Sequence, residues 1–491
     1  MNKLIDGLSM TARTENGAPQ YNSTGCYCLD LFAKIGSMRG QREEAFRLFR
    51  LAFVEDPNIA IRILLWSYDC RGGAGEREIF KEIFLNAAKE GLLEPYWKVL
   101  LSKIPQLGRF DMLVDILSDE RIKPFKHYQE KILKIIQRQL SYENALCAKW
   151  LPRQGLVAER VRNWLNVEKK EKLSRKDFRK LLVNLSAKGN VVEQKMSANH
   201  WDQIDFSKVP SIASARYANA FSKHETVRYQ QYLKDVNAGK AKMNMNVAFP
   251  YDLVRVVKTT LPKDVIDAAN TAYDQMTKNF VIDRNVLVMA DVSGSMTLSV
   301  SGSVTARDIA VGTAICIAEH NTGCFKDCVL TFSDDVQLVK LKGTFTQKVY
   351  TLWQTQKPYG TNFERAYNII LDVAVRKGLK QEELPESILV ITDMEFDMPE
   401  EFDDAHINII KERFEHYGYT APNIIFWNVN QRSNGFALQA ISKNCAMISG
   451  YSIAIAHTVF SSDEINPTEI MMKTIMIPRY DLDFDIYDPK F

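Results

Sequence analysis

The sequence predicts a multidomain protein, with an all-α helical-repeat module in residues 1–282 followed by a doubly wound, Rossmann-like α/β domain in residues 283–491. In the first part the apolar residues recur at the spacing of amphipathic helices. In the second part short apolar runs alternate with helical segments, as in sheets built from helical crossovers. The length of 491 residues corresponds to two or three domains.

Capping residues mark several helices of the first part. Asp56 followed by Pro57 is an N-cap with proline at the first helical position. Residues 76–91 place isoleucine and phenylalanine on one face and end at Gly91, and residues 174–189 run from a serine cap to a glycine. Short helices with brief connections predict paired antiparallel helices, stacked as a curved solenoid. No strict sequence period accompanies them.

Five apolar runs predict the strands of the second part: NVLVMA, CVLTF, SILVI, NIIFWNV and AMISG. Runs that are apolar throughout are typical of strands buried on both faces, and helical segments between them predict parallel order. The segment VQLVKL follows a turn and predicts a short antiparallel strand at the edge of the sheet.

Composition restricts the classes of protein. The net charge of +3 is nearly neutral, so only a local patch could bind nucleic acid. No apolar stretch has the length of a membrane span or of a signal-peptide core, so we expect no membrane partner. The eight cysteines form no CxxC pair, which predicts a reducing, cytoplasmic setting. A zinc site at His320, Cys324 and Cys328 is an alternative without an evident fourth ligand.

Polar residues follow three predicted elements of the α/β part. Asp291, Ser293 and Ser295 come after the first strand, Thr361 lies in a loop before a helix, and Asp393 follows SILVIT. Ligands of such sheets collect at the carboxyl ends of the strands, so we expect these side chains to meet. Two carboxylates and three hydroxyls suit Mg²⁺ or Mn²⁺. A carboxylate from a protein partner could complete the coordination.

The same pattern resembles the metal-ion-dependent adhesion site (MIDAS) of von Willebrand factor A (vWA) domains. The resemblance implies that Asp291, Ser293 and Ser295 hold the metal directly or through water. It also implies that Thr361 is the hydroxyl of the second loop and that Asp393 is a carboxylate that often acts through water.

Other interpretations use the same residues. Ser293 or Ser295 could cap the following helix, which is compatible with metal binding. Asp291 and Asp393 could hold a metal for phosphoryl transfer. The sequence has no GxxxxGK[ST] and no GxSxG, and the glycine-rich stretch at 71–77 lacks a preceding strand, which favours a turn between helices. We therefore expect no enzymatic activity.

A basic stretch lies in the helical part. Residues 149–200 contain 13 Lys or Arg and 5 Asp or Glu, close to Trp150, Trp164 and Trp201. Basic side chains can follow phosphates, and aromatic rings can stack on unpaired bases. The alternative is a solvated helix face with tryptophans in the core.

A helical part followed by an A domain resembles the Ro/TROVE autoantigens, in which a ring of HEAT-like repeats binds misfolded or structured small RNA. A sister family of uncharacterised proteins is more similar, through residues 16–36, 71–77, 148–154, 191–221 and 448–452. These resemblances imply a ribonucleoprotein scaffold; the alternative is a protein-assembly adaptor without RNA. The candidate RNA contacts are basic residues in or near these motifs: Arg71, Arg77, Lys149, Arg153, Lys169, Lys170, Lys172, Arg175 and Lys176.

Overall fold

The computed structural model describes residues 12–13, 19–169, 172–189, 192–243, 249–257, 263–301, 304–331, 336–355, 363–395, 406–432, 435–436, 443–460 and 465–482. Over these ranges the first half of the chain is helical and the second half is a mixed α/β unit, which confirms the predicted multidomain class. Within the same ranges, no helix has the length and apolar character needed to cross a bilayer.

The helical half starts with a short hairpin, β1 (Ala12–Arg13) and β2 (Pro19–Gln20). Its helices are α1 (Tyr27–Ile35), α2 (Arg42–Glu55), α3 (Pro57–Tyr68), α4 (Arg77–Lys89), α5 (Trp97–Leu107), α6 (Asp111–Ser118), α7 (Lys126–Ser141), α8 (Ala145–Trp150), α9 (Leu156–Lys169), α10 (Arg175–Lys188), α11 (Val192–Ser197), α12 (Ser211–His224), α13 (Thr226–Asn237), α14 (Pro250–Val257) and α15 (Lys263–Thr277). Short 3₁₀ turns occur at Glu120–Ile122, Trp201–Gln203 and Phe206–Lys208.

The predicted helix starts are confirmed by their capping contacts. The Asp56 carboxylate accepts the Ile59 N–H at 3.0 Å, with Pro57 at the first helical position. The Ser174 hydroxyl accepts the Asp177 N–H at 3.1 Å. Neighbouring helices pack on one another, as α2 does on both α3 and α4, and their apolar faces form one continuous core.

The α/β half contains every strand that the sequence predicts. Its strands are β3 (Val286–Ala290), β4 (Ser299–Ser301), β5 (Val304–Thr305), β6 (Cys328–Thr331), β7 (Gln337–Lys340), β8 (Ser387–Thr392), β9 (Asn423–Asn428) and β10 (Cys445–Ser449). Its helices are α16 (Ala306–His320), α17 (Phe345–Gln354), α18 (Phe363–Lys377), α19 (His406–His416), α20 (Ala454–Phe460) and α21 (Pro467–Ile475). Further 3₁₀ turns lie at Ser295–Thr297, Gln381–Glu383 and Pro478–Tyr480.

Six strands form one sheet in the order β10-β9-β8-β3-β6-β7. The first five of these are parallel, and β7 is the predicted antiparallel edge strand. Alternate residues of β3 face different cores: Val286 and Val288 join the core that includes α16, whereas Leu287 and Met289 join the core that includes α18 and α19. Helices therefore cover both faces, as expected for a doubly wound sheet.

Each end of the described chain packs against the other half. Helix α1 lies on the edge strand β10, where the Gly36 N–H donates to Ser449 Oγ at 3.0 Å. A Cβ at Gly36 would be 2.5 Å from the Ser449 carbonyl oxygen, so only glycine permits this approach. Helix α21 returns to pack against α1 and α3 of the helical half.

Candidate metal site and basic surface

Two aspartates lie at the carboxyl edge of neighbouring strands. Asp291 follows β3, and its N–H donates to the Ile391 carbonyl of β8 at 2.9 Å. Asp393 follows the last residue of β8. From β3 the chain adds β6 on one side and later returns to add β8 on the other, so the strand order reverses between β3 and β8. This switch point is where open α/β sheets bind ligands.

The Asp291 carboxylate is fully buried and held on both oxygens. The Ser293 N–H donates to Oδ1 at 2.9 Å, and the Thr392 hydroxyl donates to Oδ2 at 2.8 Å. The Ser293 and Ser295 hydroxyls are 3.1 Å apart. The structure thus brings together four of the five predicted metal ligands, including Asp393; Thr361 lies outside the described residues.

Asp393 is fully buried and only partly compensated. Its Oδ1 accepts the Glu395 N–H at 3.3 Å. Its Oδ2 is buried and has no hydrogen-bond partner among the described residues; the nearest ion-pair partner is Arg432 Nη1 at 3.6 Å. A buried carboxylate oxygen without a donor is unfavourable, and a bound cation would compensate it.

The electrostatics of the site fit a divalent cation. Burial raises the pKa of Asp291 to about 6, and the nearby charge of Asp393 adds to that effect. Burial also raises the pKa of Asp393, while the Ser295 hydroxyl and the Arg432 guanidinium act against it. Two buried carboxylates that repel each other would both be stabilised by a metal ion between them. Mg²⁺ or Mn²⁺ suits such an all-oxygen set.

The described residues do not support the zinc alternative. No group of three or more His, Cys, Asp or Glu side chains placed to hold a metal occurs among them. His320 Nδ1 is 2.8 Å from the Cys316 carbonyl oxygen, and the Cys328 thiol contacts the Lys326 carbonyl. A metal at Asp291 and Asp393 would therefore need hydroxyl groups or water as its remaining ligands.

Two residues near the aspartates were not predicted from the sequence. Thr392 orients Asp291 and is the residue before Asp393, so the end of SILVIT was the available signal. Arg432 comes from the loop after β9, and Gln41 Nε2 donates to the Gln431 and Arg432 carbonyls of that loop at 3.2 and 3.1 Å. The residues next to Arg432 in the sequence do not predict its place beside Asp393, because that place depends on a contact with the helical half.

Two candidate RNA contacts form interactions within the helical half. Arg71 Nη1 donates to the Gln106 carbonyl at 2.8 Å, and Arg77 forms an ion pair with Asp111 at 2.7 Å. Arg71 lies in the segment that connects α3 and α4, and Arg77 is the first residue of α4, which confirms the predicted turn between helices. These contacts give both arginines a structural role there.

The other candidates lie around α8, α9 and α10. Lys149 Nζ is 5.8 Å from the centre of the Trp150 ring, and Arg175 forms an ion pair with Glu159 at 2.6 Å. Arg153, Lys172, Arg175 and Lys176 are exposed, so the surface is basic as predicted. Lys169 is the last residue of α9, and Lys170 lies outside the described residues.

The three tryptophans are half-buried and have partners within the chain. Trp150 stacks under the Arg109 guanidinium at 4.1 Å, and Trp201 stacks on His224 at 4.0 Å. The Trp164 indole N–H donates to Gln137 Oε1 at 2.8 Å. All three pack against the hydrophobic core, which fits the alternative of core tryptophans, and RNA contacts there would have to displace a partner.

The sequence is similar to two domains of unknown function: DUF2828 over residues 135–285 and DUF7788 over residues 285–477. Neither match spans half of the chain. "Uncharacterized protein L728" of Acanthamoeba polyphaga mimivirus is 26% identical over 511 residues, covering 94% of this chain and 86% of the relative. The crystal structure of the Ro (RSR) protein of Deinococcus radiodurans aligns with 89% of this chain and with 92% of the Ro chain, at 12% sequence identity. Its TM-score of 0.33 is too low to establish a shared fold. The chain is thus similar over nearly its full length to a mimivirus protein.

Proposed function

We propose that this protein is a non-catalytic binding scaffold whose α/β half is a vWA domain with a MIDAS. In this proposal Asp291, Ser293, Ser295, Thr361 and Asp393 hold Mg²⁺ or Mn²⁺, and a carboxylate of a protein partner completes the coordination. The observation that carries the proposal is the meeting of two fully buried aspartates at the switch point of the sheet.

The ligand set favours binding over catalysis. Hydroxyl ligands add no charge, so a divalent cation held by two carboxylates is formally neutral instead of anionic and can still accept one further oxygen ligand at an open coordination position. Two-metal phosphoryl transfer requires a larger set of charged ligands, and the described residues contain no cluster of three or more acidic, His or Cys ligands. An acidic protein side chain is therefore the ligand that best fits the site.

Isothermal titration calorimetry of the full chain with Mn²⁺ tests the proposal. We expect one saturable site per chain, displaced by excess Mg²⁺, because the cation relieves repulsion between Asp291 and Asp393. Hydrolysis of p-nitrophenyl phosphate should not rise above background in the loaded protein. Absence of saturable binding would remove the metal site, whereas metal-dependent turnover would favour a phosphohydrolase.

The second proposed activity is the binding of structured or misfolded small RNA by the helical half. The observation that favours it is the group of exposed basic side chains on and before α10: Lys172, Arg175, Lys176, Arg179 and Lys180. Opposite charges on this surface are few, and such a surface can follow a phosphate backbone.

Filter binding of a structured RNA over a series of salt concentrations tests this activity. The affinity should fall with salt, with a slope of roughly 0.7 to 0.9 for each phosphate contact in a plot of log affinity against log salt. Substituting Lys172, Lys176 and Lys180 by glutamine should reduce the slope, because each lysine that contacts a phosphate releases counterions. A slope near zero in the unmodified protein would contradict RNA binding and would favour the alternative, a protein-assembly adaptor that binds no RNA.

A further inference from the structure

Four arginines line one cleft of about 330 Å³ in the helical half. The cleft lies between the turn that begins α9 and the first turns of α10, and its floor includes Ala158 and Phe178, which are 3% and 2% exposed. The charged residues around it are Arg153, Glu159, Arg162, Arg175 and Arg179. It lies far along the chain from the aspartates of the candidate metal site.

A single glutamate orders two of the arginines. Glu159 accepts from Arg162 Nη2 at 2.7 Å and contacts Arg175 Nε at 2.6 Å. Arg162 also donates from Nη1 to the Leu173 carbonyl at 3.0 Å, which ties α9 to the segment before α10. Arg162 is therefore a structural member of the cleft, whereas the side chain of Arg175 is 74% exposed.

The other two arginines keep terminal N–H groups for a ligand. Arg179 Nε donates to the Arg153 carbonyl at 3.4 Å, and neither Nη of Arg179 forms a hydrogen bond within the described residues. Arg153 Nη2 is 3.5 Å from the Ser186 hydroxyl, a long contact that leaves most of its donors available. Guanidinium groups bind phosphate oxygens through pairs of parallel N–H bonds, so this arrangement suits a phosphate.

The charge balance of the cleft also indicates an anion. Four guanidinium groups share one carboxylate, so the cleft lining keeps an excess of positive charge at a cost in repulsion. The buried side chains of Ala158 and Phe178 exclude water from the floor of the cleft, which strengthens electrostatic attraction there. A cleft lined by one sign of charge concentrates ions of the opposite sign, so this arrangement favours the binding of an anion.

We propose that this cleft binds a phosphate monoester, the terminal phosphate of an RNA strand. A terminal phosphate presents three unesterified oxygens and close to two charges, whereas an internal diester presents two oxygens and one charge. The donors of Arg153, Arg175 and Arg179 match the first better than the second. The proposal rests on the proposed RNA-binding activity, and free phosphate is another source of the same chemistry.

Fluorescence polarisation with one RNA sequence in three forms tests the proposal: with a 5′-phosphate, with a 3′-phosphate, or with hydroxyls at both ends. The unmodified protein should bind one of the phosphorylated forms roughly tenfold more tightly than the hydroxyl form, as expected for charge-assisted hydrogen bonds. Arg153→Gln and Arg179→Gln should each bring the ratio of the affinities for the phosphorylated and the hydroxyl form close to one. Lys180→Gln, an equal change of charge on α10 outside the cleft lining, should weaken all three forms alike.

Equal affinity of the unmodified protein for all three forms would overturn the proposal, as would a preference that survives both arginine substitutions. Failure of every RNA to bind would instead contradict the RNA-binding activity. In that event a ³¹P NMR titration with inorganic phosphate shows whether the cleft binds phosphate at all. Phosphate binding that Arg179→Gln abolishes and Lys180→Gln retains would support a phosphate site, and absence of binding would overturn it.

Discussion

Asp291→Asn should abolish divalent-cation binding while the protein stays folded. The substitution removes a carboxylate that would contact the metal, and the loss in affinity should exceed the roughly 10–100-fold that loss of a supporting residue causes. Mg²⁺ at a hundred times its dissociation constant should stabilise the unmodified protein by about 2.7 kcal/mol and the variant not at all. Thermal unfolding with and without Mg²⁺ measures this difference.

Two further variants separate a metal effect from a general effect of charge. Asp372→Asn makes the same change on the exposed surface of α18, where Asp372 pairs with Arg376, and should keep the full response to Mg²⁺. Thr392→Val keeps both aspartates but removes the hydroxyl that orients Asp291, so the affinity for the metal should fall by roughly 10–100-fold. An unchanged Mg²⁺ response in Asp291→Asn would disprove the metal site.

The aspartates could be predicted because their position depends on local sequence and on a general rule. Asp291 and Asp393 each end a run of buried strand residues, and parallel strands bring their carboxyl ends to one edge. Arg432 could not be predicted, since Gln41 of the helical half holds the loop that carries it. Contacts between residues hundreds of positions apart leave no periodicity that a single sequence displays.

The same distinction applies to the fold. The central strands were predictable because buried strands form continuous apolar runs. The edge strand β7 was predictable from a short apolar run directly after a turn, although three of its four residues are exposed. The packing of α1 on β10 was not predictable, because it depends on Gly36 and Ser449 meeting across the whole chain. In the glycine-rich residues 71–77 the composition indicates a turn. It does not predict which distant residues the turn contacts, such as Arg39, which pairs with Glu76.

Arg39→Met should lower the free energy of unfolding by about 3–5 kcal/mol at pH 8, because it leaves a fully buried carboxylate without its counter-charge. Arg39 Nε is 2.5 Å from Glu76 Oε1, and its guanidinium lies 4.3 Å from the centre of the Tyr451 ring in the α/β half. Denaturant unfolding measures the loss. Arg42→Met is the control, since Arg42 forms only an exposed pair with Glu78 at 3.9 Å and should cost about 0–1 kcal/mol.

The loss in Arg39→Met should also depend on pH. Burial raises the pKa of Glu76 to about 7 although Arg39 acts against it, and removal of Arg39 should raise that pKa further. A carboxyl whose pKa is higher in the folded state stabilises the fold below its unfolded pKa, and this stability is lost as pH rises through the folded pKa. The variant should therefore be least impaired near pH 5. Adding Glu76→Gln should recover much of the stability at pH 8 and remove the pH dependence, because no buried charge then lacks a partner. Equal losses in the single and double variants would show that Arg39 acts through its packing on Tyr451 instead of through the ion pair.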